Sequence, residues 1–322
     1  MIITVTLNAA VDKTLAVPNF RIGRRHRAVE QTSMAGGKGV NVARALKSLG
    51  QPVIATGVAG GPTGTRIIEQ LTEEAILNDF VRIREESRTS TAVVDPTNNE
   101  QTEINERGPA VSEAELELFV DKLLYLAKGA DVCVFAGSLP RGVPESLYAD
   151  LVTELKGMDV TTVLDAEGEA MRLATRVAPT MVSPNELEGE ELVGHEFADD
   201  EDRVRGLQEI VDLGPREVAM TLPSGCIGLV GDEADRRLYR VTLEPRETRS
   251  TVGSGDAFLA GYVAARYSGS PAEECLRFGV ACGAESTQHF GAGEVDRREV
   301  ARIEVEVVVE KLERPAAVDA RA

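Results

Sequence analysis

Tryptophan is absent from the 322 residues, and aromatic side chains make up only 4% of them. That leaves no stacking platform of the kind that holds single-stranded nucleic acid. Positive charge is also scarce, with 35 Lys and Arg against 53 Asp and Glu and a formal net charge of −18. So acidic a surface repels a phosphate backbone and argues against a nucleic-acid partner. The four cysteines, Cys133, Cys226, Cys275 and Cys282, have apolar or small neighbours and no paired metal-ligand spacing. They read as buried thiols rather than disulfides or zinc ligands. The three histidines share no motif and receive no role. No apolar run approaches the roughly 20 residues that span a bilayer. Residues 1–7 have neither the basic region nor the apolar length of a secretory signal. No membrane partner and a cytoplasmic location are therefore expected. G-x-x-x-x-G-K-[ST] and an early G-x-G-x-x-G are both missing, so a nucleotide would be held by neither a Walker loop nor a dinucleotide fingerprint.

What is present is an alternation of short apolar strands and amphipathic helices. Residues 2–7 are rich in β-formers and run into Asn8-Ala9-Ala10. Residues 39–49 set Val42, Leu46 and Leu49 at helical spacing, and Gly50 suits the helix end. Strands are expected at 53–58, 131–135, 161–164 and 217–222, and helices near 113–128, 144–155 and 186–193. This rhythm predicts an α/β fold with a mostly parallel sheet covered on both faces. Two segments, 14–33 and 88–107, are polar, rich in β-formers and without helical period. They read either as lid strands over a site or as two surface hairpins. Residues 303–307 alternate as a half-exposed strand does, and 313–322 read as a loose tail. Without a repeat or a Pro/Gly/Ser linker, one domain over 1–312 with a small lid is the expected division.

Two glycine clusters carry the chemistry. In Ser250-Thr251-Val252-Gly253-Ser254-Gly255-Asp256 the glycines let successive N–H groups face one concavity. The apolar stretch 257–265 then reads as a buried helix, whose N-terminus suits an anion. Asp256 at this junction could take a proton from a hydroxyl beside a migrating phosphoryl group. From the local sequence alone it reads rather as a helix cap. The second cluster, Ala35-Gly36-Gly37-Lys38-Gly39-Val40-Asn41-Val42-Ala43-Arg44, allows close approach of backbone to a ligand, although glycine-rich helix entries are also common turns.

The two clusters, in this order and at this separation, resemble the two signatures of the PfkB (ribokinase-like) carbohydrate kinase family. Asn8-Ala9-Ala10-Val11-Asp12 is similar to the family's opening sugar-binding loop, and Pro184-Asn185-Glu186-Leu187-Glu188 to its N-x-x-E motif. Within the family the likeness is to the branch of 1-phosphofructokinase, tagatose-6-phosphate kinase and the minor bacterial 6-phosphofructokinase. The resemblance implies a three-layer α/β/α fold with a β lid.

By the same resemblance Asp256 is the base, and Gly253, Ser254 and Gly255 form the anion hole. Asp12 and Asn41 would bind sugar hydroxyls beside Gly37 and Lys38. Arg27 and Arg88, one in each lid segment, would hold the substrate's phosphate, and Ser138 is similar to a substrate-loop serine of the family. Asn185, Thr221 and Gly225 would contact nucleotide, and Asn185 with Glu188 would organise Mg²⁺, mainly through water. Read without the family, Arg27 and Arg88 are ordinary surface arginines, and Asn185 to Glu191 an acidic helix start. Ser183 stands where many relatives place Lys, and Pro223 offers no N–H to a nucleotide. The implied activity is ATP-dependent phosphorylation of a ketohexose phosphate, first of all fructose 1-phosphate to fructose 1,6-bisphosphate. The alternatives are fructose 6-phosphate or tagatose 6-phosphate as acceptor, or a non-catalytic sugar or nucleotide sensor on the same fold. A homodimer through the lid strands is a further expectation.

Overall fold

The computed structural model describes residues 1–231 and 235–313; apart from Glu313, the expected tail lies outside the described residues. In chain order the elements begin with β1 (Ile2–Thr6), β2 (Ala10–Ala16), β3 (Glu30–Gly36), α1 (Lys38–Ser48), β4 (Val53–Gly60), α2 (Gly61–Glu73), β5 (Leu77–Ile83), β6 (Arg88–Asp95) and β7 (Glu100–Asn105). There follow α3 (Glu113–Ala127), β8 (Val132–Ala136), α4 (Leu147–Lys156), β9 (Thr161–Asp165), α5 (Gly168–Thr175), β10 (Met181–Val182), α6 (Glu186–Val193) and α7 (Asp200–Leu213). The last are β11 (Glu217–Leu222), β12 (Gly225–Val230), β13 (Arg237–Thr242), α8 (Ser254–Tyr267), α9 (Ala272–Ser286), α10 (Arg297–Glu304) and β14 (Val308–Leu312).

The main sheet runs β14-β13-β12-β11-β10-β9-β8-β1-β4-β5. Neighbours from β11 to β5 are parallel, and β12, β13 and β14 extend the edge antiparallel. Strand side chains alternate between faces. Val132, Val134 and Ala136 of β8 accordingly join the core beneath α1, α8 and α9, while Cys133 and Phe135 join the core beneath α3, α4 and α7. Burying each large side chain in these layers is worth about 1.5–3 kcal/mol. The result is the expected three-layer α/β/α arrangement. Among the described residues no helix is long and apolar enough to cross a membrane.

Helix α8 is apolar on every side, with residues 256–265 all buried, as befits an internal helix. Its polar exceptions are satisfied. Tyr262 Oη donates to Glu217 Oε2 at 2.8 Å and Arg266 Nη1 donates to the same oxygen at 2.6 Å, so the buried Glu217 is paired. This anchors the helix whose N-terminus enters the site.

A second sheet, β3-β2-β6-β7, stands outside the first. Within the lid segment read as 14–33, strands occupy only its two ends, and 17–29 forms a loop, mostly exposed beyond the buried Val17, that carries Arg21, Arg24, Arg25, His26 and Arg27. Asp95 at the end of β6 fixes the loop's base, accepting from Asn19 N at 2.9 Å and Phe20 N at 2.8 Å.

Residues 303–307 are not a strand. Val300 and Ile303 of α10 and then Val307 are buried, while Val305 is 81% exposed. The intervals of three and four residues are helical, and β14 starts only at Val308.

Candidate active site

The parallel strands end on one side of the sheet, where ligands of such folds collect. Residues from the ends of β1, β8, β9, β10 and β11 meet the lid and the start of α8 around a cleft of about 510 Å³. A second cavity of about 610 Å³ adjoins it, lined by Pro223, Leu243, Phe258 and Val280 among others. Asn185, Thr221, Ser254 and Gly255 border both. A polar chamber therefore opens into a more apolar one across the N-terminus of α8, a division suited to a polar substrate beside a flat ring system.

The turn before α8 depends on Gly253. It sits in the left-handed region at φ 77°, and a Cβ there would lie 2.7 Å from Ala292 Cβ. Gly253, Ser254 and Gly255 line the polar cleft, where a helix's first N–H groups lack intrahelical acceptors. One of the three is partly engaged, since Ser254 N donates to Thr251 O at 3.2 Å. Asp256 does not cap the helix. It is 6% exposed, and its Oδ2 accepts from Asn41 Nδ2 at 2.8 Å. Burial, joined by the charge of Asp165, pushes its carboxyl up to about 7, against the pull of Lys38 and Asn41. A buried carboxylate poised there is matched to general-base work near neutrality.

Asp12 projects from β2 into the cleft, and Gly36 makes room for it, since a Cβ at Gly36 would fall 2.0 Å from Asp12 Oδ2. Gly37 N donates to that oxygen at 3.3 Å. Burial raises the Asp12 carboxyl, opposed by this bond and by Arg88 and Arg44. Lys38 Nζ donates to Asp165 Oδ1 at 2.7 Å and Glu188 Oε1 at 3.4 Å. Burial would lower this ammonium, but Asp165, Glu188 and Asp256 outweigh it and hold it charged. Asn185 and Glu188 form a reciprocal helix cap at 2.9 and 2.8 Å. The capping reading therefore describes their bonds to each other, while Glu188 Oε1 still turns to the cleft.

Arg88 lines the cleft, with Nε donating to Asn8 O at 3.2 Å and Nη1 to Glu106 O at 3.0 Å. Asn8 Nδ2 donates to Ser138 Oγ at 3.1 Å, so Arg88 and Ser138 meet through one residue. Arg27 is not brought to them. It lies exposed on the 17–29 loop and lines neither cavity of its own chain. Thr221 borders both chambers and Gly225 the apolar one.

The sequence assigns no role to Asp165 or Arg44, and Asn8 enters only as part of the opening loop motif. Asp165, at the C-terminal end of β9, could have been found as an acid closing an apolar strand. Asn8 Oδ1 and Thr6 Oγ1 are buried without a hydrogen-bond partner, packed against Gly108 and Gly39.

Comparison with known proteins gives the family. Residues 4–298 match the family described as pfkB family carbohydrate kinase. The chain is 33% identical over 284 residues to a 1-phosphofructokinase of Borreliella burgdorferi, covering 88% of this chain and 90% of that one. It is 32% identical over 283 residues to a tagatose-6-phosphate kinase of Staphylococcus epidermidis, covering 86% and 89%. Among solved structures, phosphofructokinase-2 from Escherichia coli in complex with substrates and products superposes with a TM-score of 0.86 at 29% identity, covering 94% of this chain and 98% of that one.

Proposed function

The chain belongs to the pfkB family of carbohydrate kinases, and from that premise we propose that it transfers the γ-phosphoryl group of ATP to fructose 1-phosphate, forming fructose 1,6-bisphosphate. The observation that carries this reading is Asp256, a buried carboxyl pushed up to about 7 at the mouth of the α8 N-terminus and facing the chamber that Arg88 and Ser138 line.

In the proposed reaction the sugar lies in the polar chamber, its phosphate on Arg88 and Ser138 and its hydroxyls on Asp12. A guanidinium matches phosphate geometry by paired bonds. The nucleotide's base lies in the apolar chamber against Thr221 and Gly225. Asp256 accepts the proton of the acceptor hydroxyl as that oxygen bonds to the γ-phosphorus and the bond to the β-phosphate oxygen breaks. The N–H groups of Gly253, Ser254 and Gly255 receive the charge on the transferring group, and ADP leaves with the bond's electron pair.

Magnesium would be held beside Asn185 and Glu188, mainly through water. The donor set fits, because Asp165 and Glu188 are hard oxygen ligands that already face a common cation, Lys38 Nζ. When bound, the ion neutralises phosphate charge that the protein leaves uncovered. Among the described residues no cluster of three or more His, Cys, Asp or Glu is arranged to hold a metal, and Asn185 and Glu188 would hold the ion together with water and the nucleotide's phosphates.

The lid supports a homodimer. Ile22 at 95% and Ile104 at 61% exposure, with Val29, are large apolar side chains that it leaves exposed. We place Arg27 with that pairing rather than in its own chain's cleft. A sensor without catalysis is disfavoured, because a pure binder gains nothing from a buried acid poised at neutrality.

The test is purified protein with Mg-ATP and fructose 1-phosphate, fructose 6-phosphate or tagatose 6-phosphate, following ADP release. Fructose 1-phosphate should give the highest kcat/KM. Preference for another phosphosugar reassigns the acceptor, and no turnover on any of them refutes the kinase reading.

A further inference from the structure

Arg44 is buried, at 6% exposure, yet it touches neither cavity. Its guanidinium carries five N–H donors, and five protein acceptors meet them. Nε donates to Glu74 Oε2 at 2.7 Å and Nη2 to Glu74 Oε1 at 3.2 Å. Nη2 also donates to Ala35 O at 2.6 Å. Nη1 donates to Ala292 O at 3.2 Å and to Asn41 Oδ1 at 3.3 Å.

The last of these bonds has a direction that matters. Asn41 and Arg44 are three residues apart on α1 and share a helix face. An amide offers an acceptor at one end and donors at the other. With Oδ1 on the guanidinium, Nδ2 is turned to Asp256 Oδ2, 2.8 Å away. Flipping the amide would set N–H groups against a cation and an oxygen against a carboxylate, losing both charge-assisted bonds. The Ala292 contact adds a brace, because Ala292 is the wall against which Gly253 makes its left-handed turn.

Resting on the reading of Asp256 as the base, we propose that Arg44 is a positioning residue for phosphoryl transfer. It fixes the Asn41 amide that aims the Asp256 carboxylate, and it braces the turn of the anion hole through Ala292. Glu74 holds the guanidinium from behind with two bonds, which leaves Nη1 free to serve both catalytic elements. A lysine would keep the charge opposite Glu74 but lacks the planar fork that reaches Asn41 and Ala292 together.

The test compares Arg44→Lys, the double variant Arg44→Met/Glu74→Met, Asn41→Ala, and Asn41→Ala combined with Arg44→Lys. The Met/Met pair avoids leaving the half-buried Glu74 carboxylate without its partner, which would threaten folding. Circular dichroism and thermal unfolding establish the folded fraction, to which rates are normalised. Both Arg44 variants should lower kcat on the order of 10²-fold, as sub-ångström to ångström misplacement does, and leave each KM within about threefold. Arg44→Lys added to Asn41→Ala should cost far less than it does alone, because the residue it acts through is already gone. Wild-type-like kcat in both Arg44 variants, or losses that simply multiply in the combined variant, would overturn the positioning role while leaving the kinase reading intact. Absence of turnover in the wild-type protein removes both.

Discussion

Replacing Asp256 by Asn should slow the reaction and stabilise the fold at once, with a stabilisation that depends on pH. Asn keeps the size of the side chain and can still accept from Asn41, but it cannot take a proton. Loss of a general base costs on the order of 10²–10⁴ in kcat. The stability effect follows from the raised carboxyl, at about 7 instead of the usual 3.8. A group whose pKa is higher folded than unfolded favours folding fully below its unfolded value, and that advantage is lost as pH rises toward the folded value. Relative to a side chain that never titrates, the wild type is handicapped by about 2 kcal/mol near pH 5 and by about 4 kcal/mol near pH 8. Asp256→Asn removes the handicap, so its advantage should grow by about 2 kcal/mol between those pH values. At about 2 °C per kcal/mol for a chain of this length, the gap in Tm should widen by about 4 °C. Differential scanning fluorimetry of both proteins at the two pH values reads this directly. A gap that stays constant, or a variant less stable near pH 8, would refute the claim that burial dominates the carboxylate's surroundings.

Other expectations follow from the same site. In the free enzyme, kcat/KM should rise with pH through about 7 as Asp256 ionises; a profile flat from about pH 5 to 8 counts against it as base. Arg88→Ala should raise KM for the phosphosugar on the order of 10–100-fold, the loss of a charge-assisted phosphate contact, and change KM for ATP much less; equal effects would remove the assignment. Ile104→Glu should convert a dimer to a monomer in light scattering with the fold retained, and an unchanged mass would place any self-association elsewhere. Chelating divalent cations should weaken ATP binding measured by calorimetry, because the cleft presents carboxylates to the polyphosphate; equal affinity without the ion would overturn that electrostatic argument.

The parts of the site legible in the sequence are those where backbone geometry leaves a compositional trace. Left-handed turns and close approaches demand glycine, so the surroundings of Gly37 and Gly253 stood out. Arg44 and Asp165 carry no such trace. One lies inside a helix and the other ends an apolar strand, and each gains its role only when elements distant in the chain converge on it. The 303–307 segment was misread for a related reason. Ile303, Val305 and Val307 alternate as strand residues would, and only the burial of Val300 with Ile303 and Val307, against the exposure of Val305, separates the periods. Arg27 illustrates a third limit, since a motif position does not specify where an exposed loop points. The alternation of strands and helices was readable because a buried parallel strand is apolar nearly throughout.

The charge deficit takes on a different meaning at the level of the cleft. A net charge of −18 together with two anionic substrates suggests that cations should be gathered locally, with Arg27, Arg88 and Lys38 at the centre. The cleft is instead acidic. Its lining includes the carboxyls of Asp12, Glu103, Asp165, Glu167, Glu188 and Asp256 against the cations Lys13, Lys38 and Arg88. Lys38 is moreover committed to Asp165 and Glu188. A polyphosphate entering this space therefore meets repulsion unless its charge arrives already partly neutralised. The carboxylates that repel the bare nucleotide are the groups that favour its magnesium complex, so the acidity of the cleft discriminates between a free polyanion and its metal complex.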